Sequence, residues 1–197
     1  MCKIQAEEFS LTARTLSKSK IVDTVIELIR QQKPTTFSQI SKQLGMRSQS
    51  IYNYFSDGNE LKAAVTVRFY AKLTQELQNK IFGLSGKKAV LKFCQVSVNY
   101  AIDDFLVLQY VISMPKEMFH GDKEVESTLD NLYQLLCQLL DPLISDKKQQ
   151  LVYARLIRSL IAGEVIHIGT GRFDNDLVPA DDSFLQMLEI ALADIPD

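Results

Sequence analysis

Three cysteines stand among 197 residues, at positions 2, 94 and 137, and none falls in a CxxC pair. That spacing argues against a disulfide framework and a structural zinc site, and it fits a reducing compartment. Histidine is nearly absent: there are two, His120 and His167. HExxH, GxSxG and glycine-rich phosphate loops are absent too, so catalysis has no motif to stand on. Five prolines and eight glycines leave little room for a long disordered tract. The longest apolar block, FLVLQYVISM at 105–114, is about half a membrane span. The first residues, MCKIQAEEFS, carry no apolar stretch of the secretory kind. A cytoplasmic protein that is not an enzyme, with no cofactor and no metal site, is the expectation.

What is present is ordinary in amount and uneven in distribution. Hydrophobic residues make up 46% and charged residues 23%, with a formal net charge of −2. Residues 1–55 hold eight Lys/Arg against four Asp/Glu, so the front is basic and the remainder acidic. A basic front on an acidic body suits a segment that meets a polyanion; chance asymmetry of solvated surfaces is the alternative.

No strand pattern is visible, and helical spacing recurs throughout. Residues 17–32 place Ile21, Val22, Val25, Leu28 and Ile29 on one face, with Ser17 or Ser19 as cap and Pro34 beyond the end. Thr36 opens a second short helix through Leu44, with Phe37, Ile40 and Leu44 inward. Gly45 then supplies a turn conformation that other residues adopt only with strain. A third helix is expected over about 48–54 and a fourth over about 58–82, striped by Leu61, Val65, Phe69, Leu73 and Leu77. Further helices are expected near 87–102, 104–114, 122–144, 147–170 and 181–195, the 122–144 segment with one apolar face from Val125 to Leu143. Gly169–Gly171 reads as the end of a helix, and Asp181-Asp182 as acids favoured where a helix begins. The chain is therefore all-α, with about nine helices: a tail over 1–16, a three-helix unit over 17–62 and a larger helical unit over 63–197.

The stretch SQISKQLGMRSQSIYNYF, residues 38–55, is a helix, a glycine turn and a second helix. That is the helix-turn-helix arrangement, whose second helix enters the DNA major groove. Ile51 and Phe55, four apart, can pack inward, leaving Ser48, Gln49, Tyr52 and Asn53 largely on the other side. Such side chains bond phosphates and base edges: Gln49 and Asn53 suit adenine, Arg47 suits guanine or a phosphate, and Tyr52 and Tyr54 suit phosphate oxygens. Thr36, Lys42, Ser50 and Lys62 complete the candidate DNA-binding set. The alternative is a polar surface helix that binds nothing.

These residues resemble the DNA-binding domain of TetR-family transcriptional regulators. Thr36, Ile40, Leu44-Gly45, Met46 and the Ile51-Tyr52-Asn53-Tyr54-Phe55 close fall in the family's pattern over residues 17 to about 65. Two positions depart from it. Arg47 stands where a capping Ser or Thr is usual, which makes Ser48 the candidate cap. Gly58 stands where a phosphate-contacting Lys is common, and Lys62 is the nearest replacement. Residues 158–192 are similar, more faintly, to a subgroup with a Trp-His-Gly signature, of which Ile161-Ala162-Gly163 keeps the glycine.

The resemblance implies a homodimer, a small-molecule effector and operator DNA as partners, and no membrane. It implies a repressor released by its effector, or, as the alternative, an adaptor of the same fold that binds a protein and no longer reads DNA. For the dimer interface it points to Ala162, Gly163, Ile166, Phe184, Leu188 and Ala191 in the last two helices. For the effector cavity it points to the middle helices, with Phe93, Tyr100, Phe105, Tyr110, Met114, Met118, Phe119 and Tyr133 as candidate lining. Aromatic and methionine side chains suit adaptable apolar pockets, and equally any helical core. Glu164 and His167, one turn apart, can orient a ligand, satisfy each other or lie at the dimer seam.

Overall fold

A computed structural model of the chain describes residues 16–113, 119, 121–173 and 177–195. Five of the helices begin where a side chain meets the orphaned amides of the first turn. Helix α1 (Lys18–Arg30) is capped by Ser17, whose Oγ accepts from the Lys20 amide at 3.2 Å. Helix α2 (Phe37–Leu44) is capped by Thr36, whose Oγ1 accepts from Gln39 at 3.2 Å. After the single-turn α3 (Gln49–Tyr52), Asp57 caps α4 (Gly58–Ile81) by accepting from Asn59 and Glu60. Helices α5 (Gly86–Asp103) and α6 (Phe105–Ile112) follow almost without a break. Asp122 and Asp146 cap α7 (Lys123–Leu140) and α8 (Lys147–Gly169), and α9 (Ala180–Ala191) closes the chain. A carboxylate or hydroxyl at such a position typically contributes about 1 kcal/mol. Among the described residues there are nine α-helices and no strand.

The apolar faces gather into two cores. The first joins Ile21, Val25 and Leu28 of α1, Ile40 of α2, Ile51 of α3, Phe55, and Leu61, Val65 and Phe69 of α4. It also takes Val107 and Val111 from α6, so the N-terminal unit is not sealed off at residue 62. The second joins Leu73 and Leu77 of α4 to Val90, Phe93 and Cys94 of α5, Leu136 and Leu140 of α7, Ala154 and Ile157 of α8, and Phe184 and Leu188 of α9. Each fully buried aliphatic or aromatic side chain stabilises the fold by roughly 1.5–3 kcal/mol. Cys94 is a core side chain, its thiol pushed up to about 12 by burial and so unreactive at neutral pH.

Three expectations are corrected. The third helix is one turn, not residues 48–54: the amides of Ser50 and Ile51 bond three residues back to Arg47 and Ser48, and Tyr54 bonds back to Ile51, so tight turns flank it. Ser48 does not cap it. Its backbone is already helical, and its Oγ lies 3.0 Å from the Ser41 Oγ. Phe184 and Leu188, expected at a dimer interface, are spent on the chain's own core, exposed to 3% and 0%. Candidates Met114 and Met118, and with them His120, lie outside the described residues.

Candidate DNA-reading head and effector cavity

The turn between α2 and α3 is fixed by backbone chemistry. Gly45 sits at φ 66°, ψ 34°; its amide bonds the Lys42 carbonyl at 3.2 Å, and the Met46 amide bonds the Ser41 carbonyl at 2.9 Å. This is a Schellman close, and it needs a residue at ease with positive φ. A Cβ on Gly45 would meet no atom within 4 Å, so conformation alone, not space, selects glycine here. Ile51 and Phe55, exposed to only 0% and 1%, then seat α3 on the head core.

The candidate residues separate into an outward group and an inward group. Gln49 and Tyr52 are exposed on α3 and Asn53 at its C-terminal end, Lys42 and Arg47 are exposed beside it, and Ser50 is half-buried. Neither cation enters an ion pair among the described residues. Tyr52 packs edge-on against Phe37, ring centroids 4.8 Å apart, which orients the ring and leaves the residue 53% exposed. Thr36 is exposed at the α2 start with its hydroxyl oxygen serving the cap.

The inward group is different. The Tyr54 hydroxyl donates to the Leu16 carbonyl at 2.8 Å, pinning the start of the described chain to the head. Lys62 turns toward α6: its Nζ donates to Ser113 Oγ at 2.9 Å and lies 4.7 Å from the centre of the Tyr110 ring, and burial lowers its pKa. It therefore does not stand in for the lysine missing at Gly58. Ser41 escaped the sequence reading; it is 3% exposed, donates to the Ser38 carbonyl at 2.9 Å and couples α2 to α3 through Ser48. A small buried hydroxyl one turn from Gly45 was its only signal.

Head and body are joined by ion pairs that span the sequence. Arg30 of α1 holds Asp104 at the α5–α6 junction, and Arg68 of α4 pairs with Asp23 of α1. Phe105, next to Asp104, lies against the backbone of α8: a Cβ on Gly169 would overlap its ring. The missing side chain at Gly169 thus makes room for the Phe105 ring of α6.

A cavity of about 640 Å³ lies among α4, α5, α6, α7 and α8. Phe93 and Tyr133 line it as expected, together with Phe69, Tyr70, Ser97 and Leu132. Tyr100, Phe105, Tyr110, Glu164 and His167 do not line it. Tyr100 packs edge-on to Phe69 between the two cores, its hydroxyl reaching the Phe69 carbonyl at 3.4 Å. Tyr110 belongs to the head–body seam under Lys62. Glu164 is 1% exposed with both carboxyl oxygens unpartnered, and burial, then Asp181, raises its pKa. His167 stacks on Phe173 at 4.5 Å with Nδ1 unpartnered, so the two do not satisfy each other. Ala162 and Ile166, expected at the dimer face, line the cavity from an exposed side of α8. Gly163 and Ala191 are half-buried.

Among the described residues no cluster of three His, Cys, Asp or Glu is placed to hold a metal, and no helix is long and apolar enough to cross a membrane. The architecture is that of the TetR-type regulators. A glutamine-to-alanine variant of TetR from Acinetobacter baumannii, solved with minocycline, matches with a TM-score of 0.65 at 13% identity, over 91% of this chain and 96% of that one. The FadR regulator from Bacillus subtilis, solved with stearoyl-CoA, matches with a TM-score of 0.70 at 17% identity, over 87% of this chain and 97% of that one. In sequence, the chain is 25% identical over 164 residues to YobS, an uncharacterised HTH-type transcriptional regulator of Bacillus subtilis, covering 82% of this chain and 83% of that protein. No protein-family model matches.

Proposed function

We propose that the chain is a cytoplasmic, homodimeric transcriptional repressor that reads operator DNA through α2 and α3 and releases it when a small molecule fills the central cavity. The observation that carries this reading is the head itself. A Schellman turn at Gly45 sets a one-turn helix whose Ile51 is buried; Gln49 and Tyr52 on it and Asn53 at its end face solvent, beside Lys42 and Arg47, which enter no ion pair among the described residues. Similarity to an HTH-type regulator supports it, and so do ligand-bound TetR and FadR among the structural neighbours. In a two-fold dimer the two heads would address successive major grooves, about 34–36 Å apart. An effector that prefers the DNA-incompetent arrangement lowers operator affinity by its differential affinity for the two states.

The second reading, an adaptor that binds a protein partner, draws on Gly58 and the inward-turned Lys62, which leave the start of α4 without a free cation. The deciding experiment is a fluorescence-anisotropy titration against DNA from upstream of the chain's own gene, beside a scrambled duplex, at several salt concentrations. A preference of about a thousandfold with a steep salt slope establishes specific reading. Equal weak binding to both, repeated across a library of genomic fragments, favours the adaptor.

A further inference from the structure

The central cavity is apolar in its depth and cationic on one side. Its walls are built from Phe69, Leu73, Phe93, Leu132 and Leu136, all of them core side chains. Two arginines, Arg155 and Arg158, are the only charged residues that line it among the described residues, and both come from one turn of α8. Their placement on the exposed side of that helix puts them at the mouth. Neither forms an ion pair among the described residues. The Arg158 guanidinium lies 5.8 Å from the centre of the Tyr133 ring, which leans it over the opening. Among the described residues no carboxylate lines the cavity to neutralise the pair. The Tyr70 hydroxyl, in the same wall, makes no hydrogen bond among the described residues and stands within the field of Arg158.

We infer that the cavity takes an anionic amphiphile, its apolar body among the phenylalanines and leucines and its carboxylate or phosphate head on Arg155 and Arg158. The size agrees, since small-molecule sites typically run from about 300 to 1,000 Å³. A guanidinium presents parallel donors to a planar or tetrahedral anion, and two of them on one turn offer such a head several charge-assisted bonds. A neutral ligand would forgo both, and a cationic one would meet like charge. This inference rests on the reading of the cavity as the effector site.

The test is isothermal titration of the full chain with four ten-carbon probes below their aggregation concentrations: decanoate, decyl phosphate, decanol and decyltrimethylammonium. Both anions are expected to bind at least about tenfold tighter than decanol, and the cation weakest. The ratio of decanoate to decyl phosphate affinity tells a carboxylate ligand from a phosphate one. Paired Arg155→Gln and Arg158→Gln substitutions are expected to erase the anion preference while leaving decanol affinity and the melting temperature unchanged. Arg172→Gln, on an exposed arginine outside the cavity, is expected to change nothing. Equal binding of decanol and the anions, unaffected by the paired substitution, would overturn the inference and leave the effector site standing. Binding of none of the four would overturn both. Dissociation of the paired variant into monomers would assign the arginines to a subunit interface and overturn the inference as well.

Discussion

Arg30 and Asp104 stand 74 positions apart and meet through two parallel hydrogen bonds, Nε to Oδ1 at 2.9 Å and Nη2 to Oδ2 at 2.7 Å. The fork fastens α1 of the head to the junction of α5 and α6. The bond to Asp104 raises the pKa of a guanidinium that is charged in any case. The Arg30 side chain is 55% exposed and Asp104 16%, so water screens the pair from one side. A double-mutant cycle with Arg30→Ala and Asp104→Ala, read by urea unfolding, is expected to give a coupling of about 0.5–1 kcal/mol. A coupling indistinguishable from zero would mean that this pair adds nothing to the hold of the head on the body.

Gly45→Ala tests the turn. The space is open and only the positive φ resists, so the change is expected to cost about 1–2 kcal/mol in urea unfolding. Gly45→Asn, with a residue more tolerant of this conformation, is expected to cost less. Equal losses would place the constraint elsewhere.

Tyr52 separates ring from hydroxyl. Tyr52→Phe keeps the edge contact with Phe37 and removes the hydroxyl; if that hydroxyl bonds a phosphate, as proposed, operator affinity is expected to fall while stability holds. Tyr52→Ala is expected to lose, in addition, about 0.5–1.5 kcal/mol of stability. Operator affinity unchanged by Tyr52→Phe would show that the hydroxyl makes no contact.

Gly58→Lys asks whether the missing charge matters. The position is exposed, at the first residue of α4, with open space around an added Cβ. If the head meets DNA, the new cation is expected to tighten binding to specific and scrambled duplexes alike and to steepen the salt slope by about one. An unchanged slope would place the start of α4 away from the phosphates.

Glu164 gives a pH signature. Burial, with help from Asp181, raises its pKa above the ordinary glutamate value of 4.5, so the folded state holds this proton more tightly than the unfolded one. Stability from this group is therefore full below about 4.5 and is lost as pH rises through the folded value. Glu164→Gln cannot ionise. It is expected to melt higher than the parent at pH 8, with the difference shrinking toward pH 4. Parallel melting curves across that range would show that a partner or bound water satisfies the carboxylate.

The helices were legible because their information is local. Apolar spacing located α1, α4, α7 and α8, and Thr36 and Gly45, just outside the eight residues of α2, marked its ends. Side-chain partners were not, because they depend on what the fold brings from far away. Asp104 read as one of two adjacent acids until Arg30 arrived from the first helix. Lys62 looked like a phosphate contact and turned to Ser113; Tyr54 looked alike and turned to Leu16. Aromatic identity does not say which wall a ring joins: Tyr100 packs between the two cores and Tyr110 against the head core, neither in the cavity. Arg155 and Arg158 drew no notice because an exposed arginine on a helix is ordinary until the space beside it is seen.

Helix α4 gives Leu61, Val65 and Phe69 to one core and Leu73 and Leu77 to the other along a single unbroken stripe. Its rotational phase is therefore shared property. Each residue advances an α-helix by about 100°, so inserting or deleting one position between Phe69 and Leu73 would leave both halves intact and turn them a quarter-circle or more out of register. A chimera that grafts this head onto another body has to match the winding of the joining helix, and a splice at any convenient surface position will not do.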